Sequence, residues 1–160
     1  MTPGTRTLIH DVDAPELSAP ARRLPSSELE LSELILPAQA NHHGTLFGPN
    51  ALALLGKAAF LVAARSMRQP VVMAAARQVD FLVPIPVGAL VRVHARVTRV
   101  GQRSLTVQVL ATFDTAPGTR AEEVLRGEFE MVTVDETGRP CAVRPPETSV
   151  VPAFAASAAR

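Results

Sequence analysis

The chain lacks tryptophan and tyrosine altogether, holds one cysteine, and has a single lysine among its 16 basic residues. Each shortage removes a class of function. Without Trp or Tyr, a platform for stacking nucleobases would rest on the six Phe, and these are scattered. A net charge of +1, with no long basic stretch, offers no means of tracking a phosphate backbone. One cysteine, Cys141, excludes an internal disulfide framework and suits a reducing compartment. As a lone thiol near the chain end it reads as a bystander. Residues 1–25 carry acids and prolines where a signal peptide has a basic start and an apolar run. The longest apolar stretch, residues 51–64, is interrupted by Gly56 and Lys57 and is short for a bilayer span. A soluble cytoplasmic protein with neither nucleic acid nor membrane as partner is the expectation. One further absence bears on chemistry: no Asp or Glu occurs between Glu33 and Asp80.

What is present points to one folded domain. At 160 residues, with 47% hydrophobic and 19% charged, the chain has enough apolar surface for a real core. Residues 1–26 contain Pro3, Pro15, Pro20 and Pro25 without sustained periodicity and read as a tail or wrapping arm. Residues 27–144 read as the domain, and 145–160, which begin Pro-Pro, as a second tail. Within the domain, residues 28–36 alternate in part and predict a first strand stopped at Pro37. Pro49 suits a first helical turn, where its missing N–H would be unpaired in any case. A helix over 51–66 follows, closed by Pro70 and apolar nearly all round, which predicts burial on most sides. Strands are expected over 71–83, 90–100, 104–113 and 124–134, with a tight turn at Gly101-Gln102-Arg103 and a loop over 115–120. Residues 90–100 alternate cleanly: Val91, Val93, Ala95 and Val97 point one way, Arg92, His94, Arg96 and Thr98 the other. One buried helix followed by antiparallel strands is α+β, and a strongly curved sheet wrapped around the helix satisfies the pattern.

The loop before the helix reads Asn41-His42-His43-Gly44-Thr45-Leu46-Phe47-Gly48. Further on come Val79-Asp80-Phe81-Leu82 with Pro84, then Val87-Gly88, then Arg96-Val97-Thr98-Arg99-Val100-Gly101 with Ser104. The series ends with Val132-Thr133-Val134-Asp135 and Gly138-Arg139-Pro140. In this order and spacing the motifs resemble the hotdog-fold acyl-CoA thioesterases, in particular the YciA-like and cytosolic acyl-CoA hydrolase branch. The resemblance runs from about Glu30 to Pro140. It implies a hotdog fold, an antiparallel sheet around one long central helix. It implies a homodimer whose sheets join edge to edge, often assembled into a trimer of dimers. The implied activity is hydrolysis of an acyl-CoA to a free acid and CoA at a subunit interface, with no metal or organic cofactor. An Asn of the loop and an Asp of the helix, from opposing subunits, act on water and the thioester in the family's usual members.

Carried onto this chain, the resemblance places the loop asparagine at Asn41. The helix aspartate falls about eight residues after Gly48, on Gly56; Lys57 stands where a glutamate is common, and Pro49 where a second glycine is usual. Gly48 then supplies the helix N-terminus that polarises the carbonyl, since unpaired N–H groups and the positive dipole end stabilise an oxyanion. With the helix acid missing, His43 becomes a candidate base, as an imidazole can serve near neutrality. Asp80 is the next carboxylate along the chain, expected chiefly to form hydrogen bonds. Arg99, Gly101, Arg103 and Ser104 surround the turn that the resemblance assigns to CoA. Each has a plainer reading: Asn41 holding a turn, His42 and His43 as structure, Gly56 allowing close approach, Lys57 reaching solvent, the arginines solvated on a hairpin. A zinc site is not expected, because no third ligand lies at suitable spacing. Three functions fit these residues: a thioesterase with a different base, an acyl-CoA-binding or regulatory protein that lost its acid, and a partner that supplies only the Asn41 half of a shared site.

Overall fold

The computed structural model describes residues 27–113 and 121–144. The tails expected over 1–26 and 145–160 and the loop expected over 115–120 lie outside the described residues. Five strands and one long helix make up the domain: β1 (Glu28–Leu34), α1 (Gly48–Met67), β2 (Val71–Phe81), β3 (Leu90–Val100), β4 (Ser104–Phe113) and β5 (Glu122–Thr133). The strands form one antiparallel sheet in the order β1-β3-β4-β5-β2, and α1 touches all five.

Alternation decides the two faces. Val91, Val93 and Ala95 of β3 and Leu105, Val107, Val109 and Ala111 of β4 are buried beneath the helix. Between them, Arg92, Arg96 and Gln108 are exposed on the opposite face. On the helix, Ala51, Leu55, Ala58, Ala59, Val62 and Ala63 form the buried side. Small alanines at this contact let the helix axis approach the sheet closely. α1 begins at Gly48, three residues before its expected start, with Phe47 as N-cap and Pro49 in the first turn. It ends before Pro70: Arg68 adopts a left-handed conformation (φ 50°) and its N–H closes on the Ala64 carbonyl at 3.0 Å. β1 stops at Leu34 and a 3₁₀ turn, Pro37–Gln39, leads into the loop. β2 stops at Phe81 rather than 83, with register irregularities between Met73 and Ala75 and between Ala76 and Gln78.

The expectation that α1 is buried on most sides does not hold within one chain. Leu52, Lys57, Phe60 and Leu61 are exposed, because a five-stranded sheet covers one side of a helix and leaves the other open. Exposed apolar side chains continue onto the edge strand β2 at Val72, Met73 and Phe81. At 20 residues α1 is longer than the apolar stretch 51–64, and by length and composition it passes as a possible span. Its seat on all five strands marks it as the core helix.

Leu55 is fully buried at the centre of that seat. Leu55→Ala should lower the unfolding free energy by about 2–5 kcal/mol, read by urea denaturation. A loss below about 1 kcal/mol would contradict this packing.

Candidate active site

The loop from Asn41 to Gly48 is pinned on both sides. Its backbone closes through Asn41 N–H to Thr45 O (2.8 Å) and Gly44 N–H to Asn41 O (3.1 Å), and Gly44 takes φ 73°, a conformation that favours glycine. Leu46 N–H donates to Ile85 O at 2.7 Å and Phe47 N–H to Gln39 O at 2.9 Å. The Asn50 amide also donates to Gln39 O, at 3.0 Å, tying the first helical turn to the 3₁₀ turn. Inside this frame the Asn41 carboxamide oxygen accepts the N–H of His43 (2.9 Å) and of Thr45 (3.3 Å), while Asn41 Nδ2 donates to Thr45 Oγ1 (3.0 Å). The plainer reading of Asn41 as a turn-holding residue is thus realised within the chain, and one Nδ2 proton is left to give. The rings of His42 and His43 lie 3.8 Å apart between centroids, both residues exposed.

Gly48 opens α1 without a side-chain cap at Phe47 and without an acid in the first turn. The positive end of the helix is therefore unneutralised. It borders a cavity of about 270 Å³ whose walls include Thr45, Leu46, Gly48, Ala51, Phe81 and Leu125. Among the described residues no titratable side chain lines it. The loop threonine, the helix N-terminus and an apolar wall are brought together; an acid or base is not.

Gly56 is buried two turns further along, against β2. A Cβ placed there would come within 2.9 Å of Met73 Cε, so the thioether of Met73 fills the space a side chain at 56 would use. Lys57 turns outward and pairs with Glu33 (Nζ to Oε2, 3.0 Å), whose other oxygen accepts Gln39 Nε2 at 3.4 Å. This surface pair joins α1 to β1 near the loop.

The remaining residues singled out in the sequence lie elsewhere. Asp80 is on the sheet face turned away from α1, in a polar groove of about 540 Å³ with Gln78, His94, Arg96, Arg126 and Glu128. Its neighbour Phe81 reaches the helix side, so strand alternation itself separates Asp80 from the loop. Within one chain it therefore does not reach the loop, and it forms hydrogen bonds. Asp80 Oδ2 accepts from Arg126 Nε at 2.7 Å and from Gln78 Nε2 at 3.2 Å. These contacts, the Arg126 bond first, hold the Asp80 carboxyl below its ordinary value against the opposing effect of desolvation. Gly101, Arg103 and Ser104 form the β3–β4 turn, closed by Gly101 N–H to Ser104 O at 2.8 Å. The Arg103 carbonyl accepts Thr133 N–H (2.9 Å), and Arg99 Nε donates to Thr106 Oγ1 (3.2 Å). Two residues of interest escaped the sequence reading. Met73 and Glu130 belong to none of the motifs, and only the contacts made across strands single them out. Among the described residues no cluster of three or more His, Cys, Asp or Glu is placed to hold a metal ion.

Comparison with known proteins bears on this arrangement. The thioesterase superfamily model matches residues 43–115. An uncharacterised acyl-CoA thioester hydrolase of Zymomonas mobilis is 33% identical over 121 residues, 76% of this chain and 81% of the relative. The acyl-CoA hydrolase of Staphylococcus aureus, solved with butyryl-CoA, CoA and CoA disulfide, superposes with a TM-score of 0.72 at 27% identity, covering 78% of this chain and 76% of that one. Forms of that enzyme were solved with alanine in place of an asparagine, of an aspartate fifteen positions after it, and of a threonine seventeen positions further on. A hexameric thioesterase of Yersinia pestis superposes with a TM-score of 0.68 at 26% identity, covering 77% of this chain and all of its own.

Because the folded-state value of Asp80 is depressed, the stability it contributes is present above its unfolded value and fades as the pH falls through the folded one. Arg126→Gln should return the Asp80 titration, followed by NMR, toward the ordinary carboxylate range. An unmoved midpoint would remove Arg126 as the cause.

Proposed function

The chain belongs to the thioesterase superfamily, and on that premise we propose that it hydrolyses acyl-CoA thioesters to a free acid and CoA, in the cytoplasm, at a site completed by a second copy of the chain. The observation that carries this reading is the uncapped helix N-terminus at Gly48 opening on an apolar cavity. A thioester carbonyl directed at the Gly48 N–H meets a preorganised donor and the positive end of the helix dipole, where the negative charge of a tetrahedral intermediate develops. The acyl chain lies against Ala51, Phe81 and Leu125. Water adds to the carbonyl carbon, the C–S bond breaks, and the CoA thiolate takes up the proton. CoA enters as part of the substrate, and the reaction calls on no separate cofactor.

Two copies join along β2, antiparallel, which covers the open edge and the exposed Val72 and Met73. Further assembly into a trimer of dimers fits the hexameric relative. In the joined form the Asn41 loop of one copy faces the Gly56 region of the other. Asn41 acts through the hydrogen bonds that set His43 and through its remaining Nδ2 proton, which orients water or the carbonyl. His43 is the base. Arg99, Gly101, Arg103 and Ser104 line the path of the CoA moiety.

One observation favours a second reading, a pocket that binds acyl-CoA without cleaving it. Counting from Asn41, the spacing of the aspartate and threonine of the Staphylococcus enzyme falls on Gly56 and Met73. A carboxylate and a hydroxyl would then be replaced together by an absent side chain and a thioether that fills its place.

Thiol release from short, medium, long and aromatic acyl-CoAs separates the two. Wild-type turnover that drops about 10²-fold or more in Asn41→Ala and in His43→Gln supports hydrolysis with a relocated base. A Gly56→Asp change alone pushes against Met73 Cε, so the informative variant is Gly56→Asp with Met73→Thr. Silence from the wild type together with hydrolysis by that double variant would overturn the enzymatic reading in favour of binding.

A further inference from the structure

After β5 the chain turns back on itself. Asp135 N–H donates to Arg139 O at 2.9 Å, and Gly138, at φ 78°, closes the bend onto Asp135 O at 2.9 Å. Asp135 Oδ1 accepts the N–H groups of Thr137 (2.8 Å) and Arg139 (3.0 Å). The returning residues, 140–144, then lie beside the end of β5. Val134 and Pro140 form an isolated antiparallel bridge, Cys141 N–H donates to Thr133 O at 2.9 Å, and Val143 packs against the core. Gln69, buried just past the end of α1, clasps this segment with both ends of its carboxamide. Its Nε2 donates to Ala142 O at 3.3 Å and its Oε1 accepts Arg144 N–H at 2.7 Å. One side chain thus engages the segment's backbone as a neighbouring strand would.

The same segment reaches the β3–β4 turn. Val143 N–H donates to Gln102 O at 2.8 Å, and Thr133 N–H donates to Arg103 O at 2.9 Å. Thr133 is fully buried, and its hydroxyl lies 2.6 Å from Cys141 O and 3.2 Å from Arg103 O; its one proton serves the nearer oxygen. A hairpin tip is ordinarily held by its own two strands and opens easily. This one is tied at two consecutive carbonyls to donors outside the hairpin. Both oxygens are therefore occupied, and neither opposes an anionic group that approaches the exposed Arg103.

We propose that residues 140–144 brace the β3–β4 turn in the shape that receives CoA, with Gln69 and Thr133 as positioning residues. This rests on the reading of acyl-CoA as the substrate and of that turn as part of its path. Ordering a free hairpin tip on binding weakens affinity, and a turn held in advance avoids that loss. The brace sits at the Met67 end of α1, roughly 30 Å along the helix from Gly48. In a site shared by two copies it serves the CoA whose thioester lies at the other copy's helix. It acts on how tightly CoA is held and leaves the reacting carbonyl untouched.

The test combines amide hydrogen exchange over residues 99–106 with titration calorimetry of CoA and steady-state kinetics, on the full-length protein and its variants. Val143→Pro removes the N–H given to Gln102 O. Val143→Ala keeps that N–H and trims only the packing. Gln69→Met keeps the length of the side chain and removes the clasp. Val143→Pro and Gln69→Met should speed exchange in the turn and weaken CoA binding about fivefold, the effect of one lost hydrogen bond. KM for acyl-CoA should rise by the same factor with kcat little changed, a split that a general loss of stability would not give. Val143→Ala should lose markedly less affinity. Faster exchange in the turn with undiminished CoA affinity overturns the proposal, as does unaltered exchange in both folded variants. Equal loss in Val143→Ala and Val143→Pro overturns the hydrogen-bonded tie. Should Val143→Pro fail to fold, Gln69→Met decides by the same readouts. CoA affinity that depends on Gln69 in a protein that releases no thiol leaves the brace standing and sinks hydrolysis instead. Thiol release with a KM indifferent to both variants keeps hydrolysis and overturns the brace.

Discussion

The close seating of α1 on the sheet is the contact on which the other features depend. Ala51, Ala58, Ala59 and Ala63 give the helix a shallow side, and Leu55 and Val62 fill the space between it and the buried valines of β3 and β4. Non-directional apolar burial of this kind fixes the position of the axis, and with it the position of both ends. The N-terminal end is held further by the Phe47 N–H and Asn50 amide bonds to Gln39. A helix dipole is useful for catalysis only if it cannot move away from the charge it stabilises, and this one is anchored through the core on one side and a strand-like loop on the other.

The two faces of the sheet carry different chemistry. Toward α1 it is largely apolar, with Glu33 of β1 reaching Lys57 at one edge. Away from α1 it is a grid of charges in which Asp80 meets Arg126 and Glu130 meets Arg77 and Arg99. The first of these pairs is open to water and screened, so it does little for stability. The second has a buried carboxylate whose solvation is replaced by Thr106 and Arg77, and such groups are retained for what they hold in place as much as for the energy they return. The centre of the site shows the opposite trend. Where the resemblance leads one to expect a carboxylate on the helix, Gly56 and Met73 make an apolar contact, and the polar groups nearest the cavity belong to the loop.

How far the sequence could be read follows from which forces act locally. β3 and β4 have the bounds that alternation predicts, since each strand has one covered face and the period of two holds over most of its length. β2 was less legible because its exposed positions include Val72, Met73 and Phe81, apolar residues that blur the pattern on an edge strand. The helix was placed correctly, yet its apolar circumference suggested burial on every side; composition does not say whether the cover comes from the same chain or another copy. The loop from Asn41 to Gly48 and the position of Gly56 were visible from the motif alone. The commitment of Asn41 to Thr45 and His43 was not, as it depends on how the loop closes. Asp80 illustrates the limit of distance along the chain: it is one residue from Phe81, which lines the cavity, and faces the other way. Glu130 was hidden for the same kind of reason, because its partners Arg77 and Arg99 arrive from two other strands.

The account turns on whether the helix N-terminus polarises the thioester. Infrared difference spectroscopy of a carbonyl-labelled acyl-CoA, or of a slowly reacting thioester analogue, bound to the protein reads that directly. The account predicts a carbonyl stretch shifted to lower frequency than in water, with a crystal structure of the same complex placing the carbonyl oxygen within hydrogen-bonding distance of the Gly48 N–H. A carbonyl frequency typical of an apolar environment, with the oxygen turned away from Gly48, would contradict it.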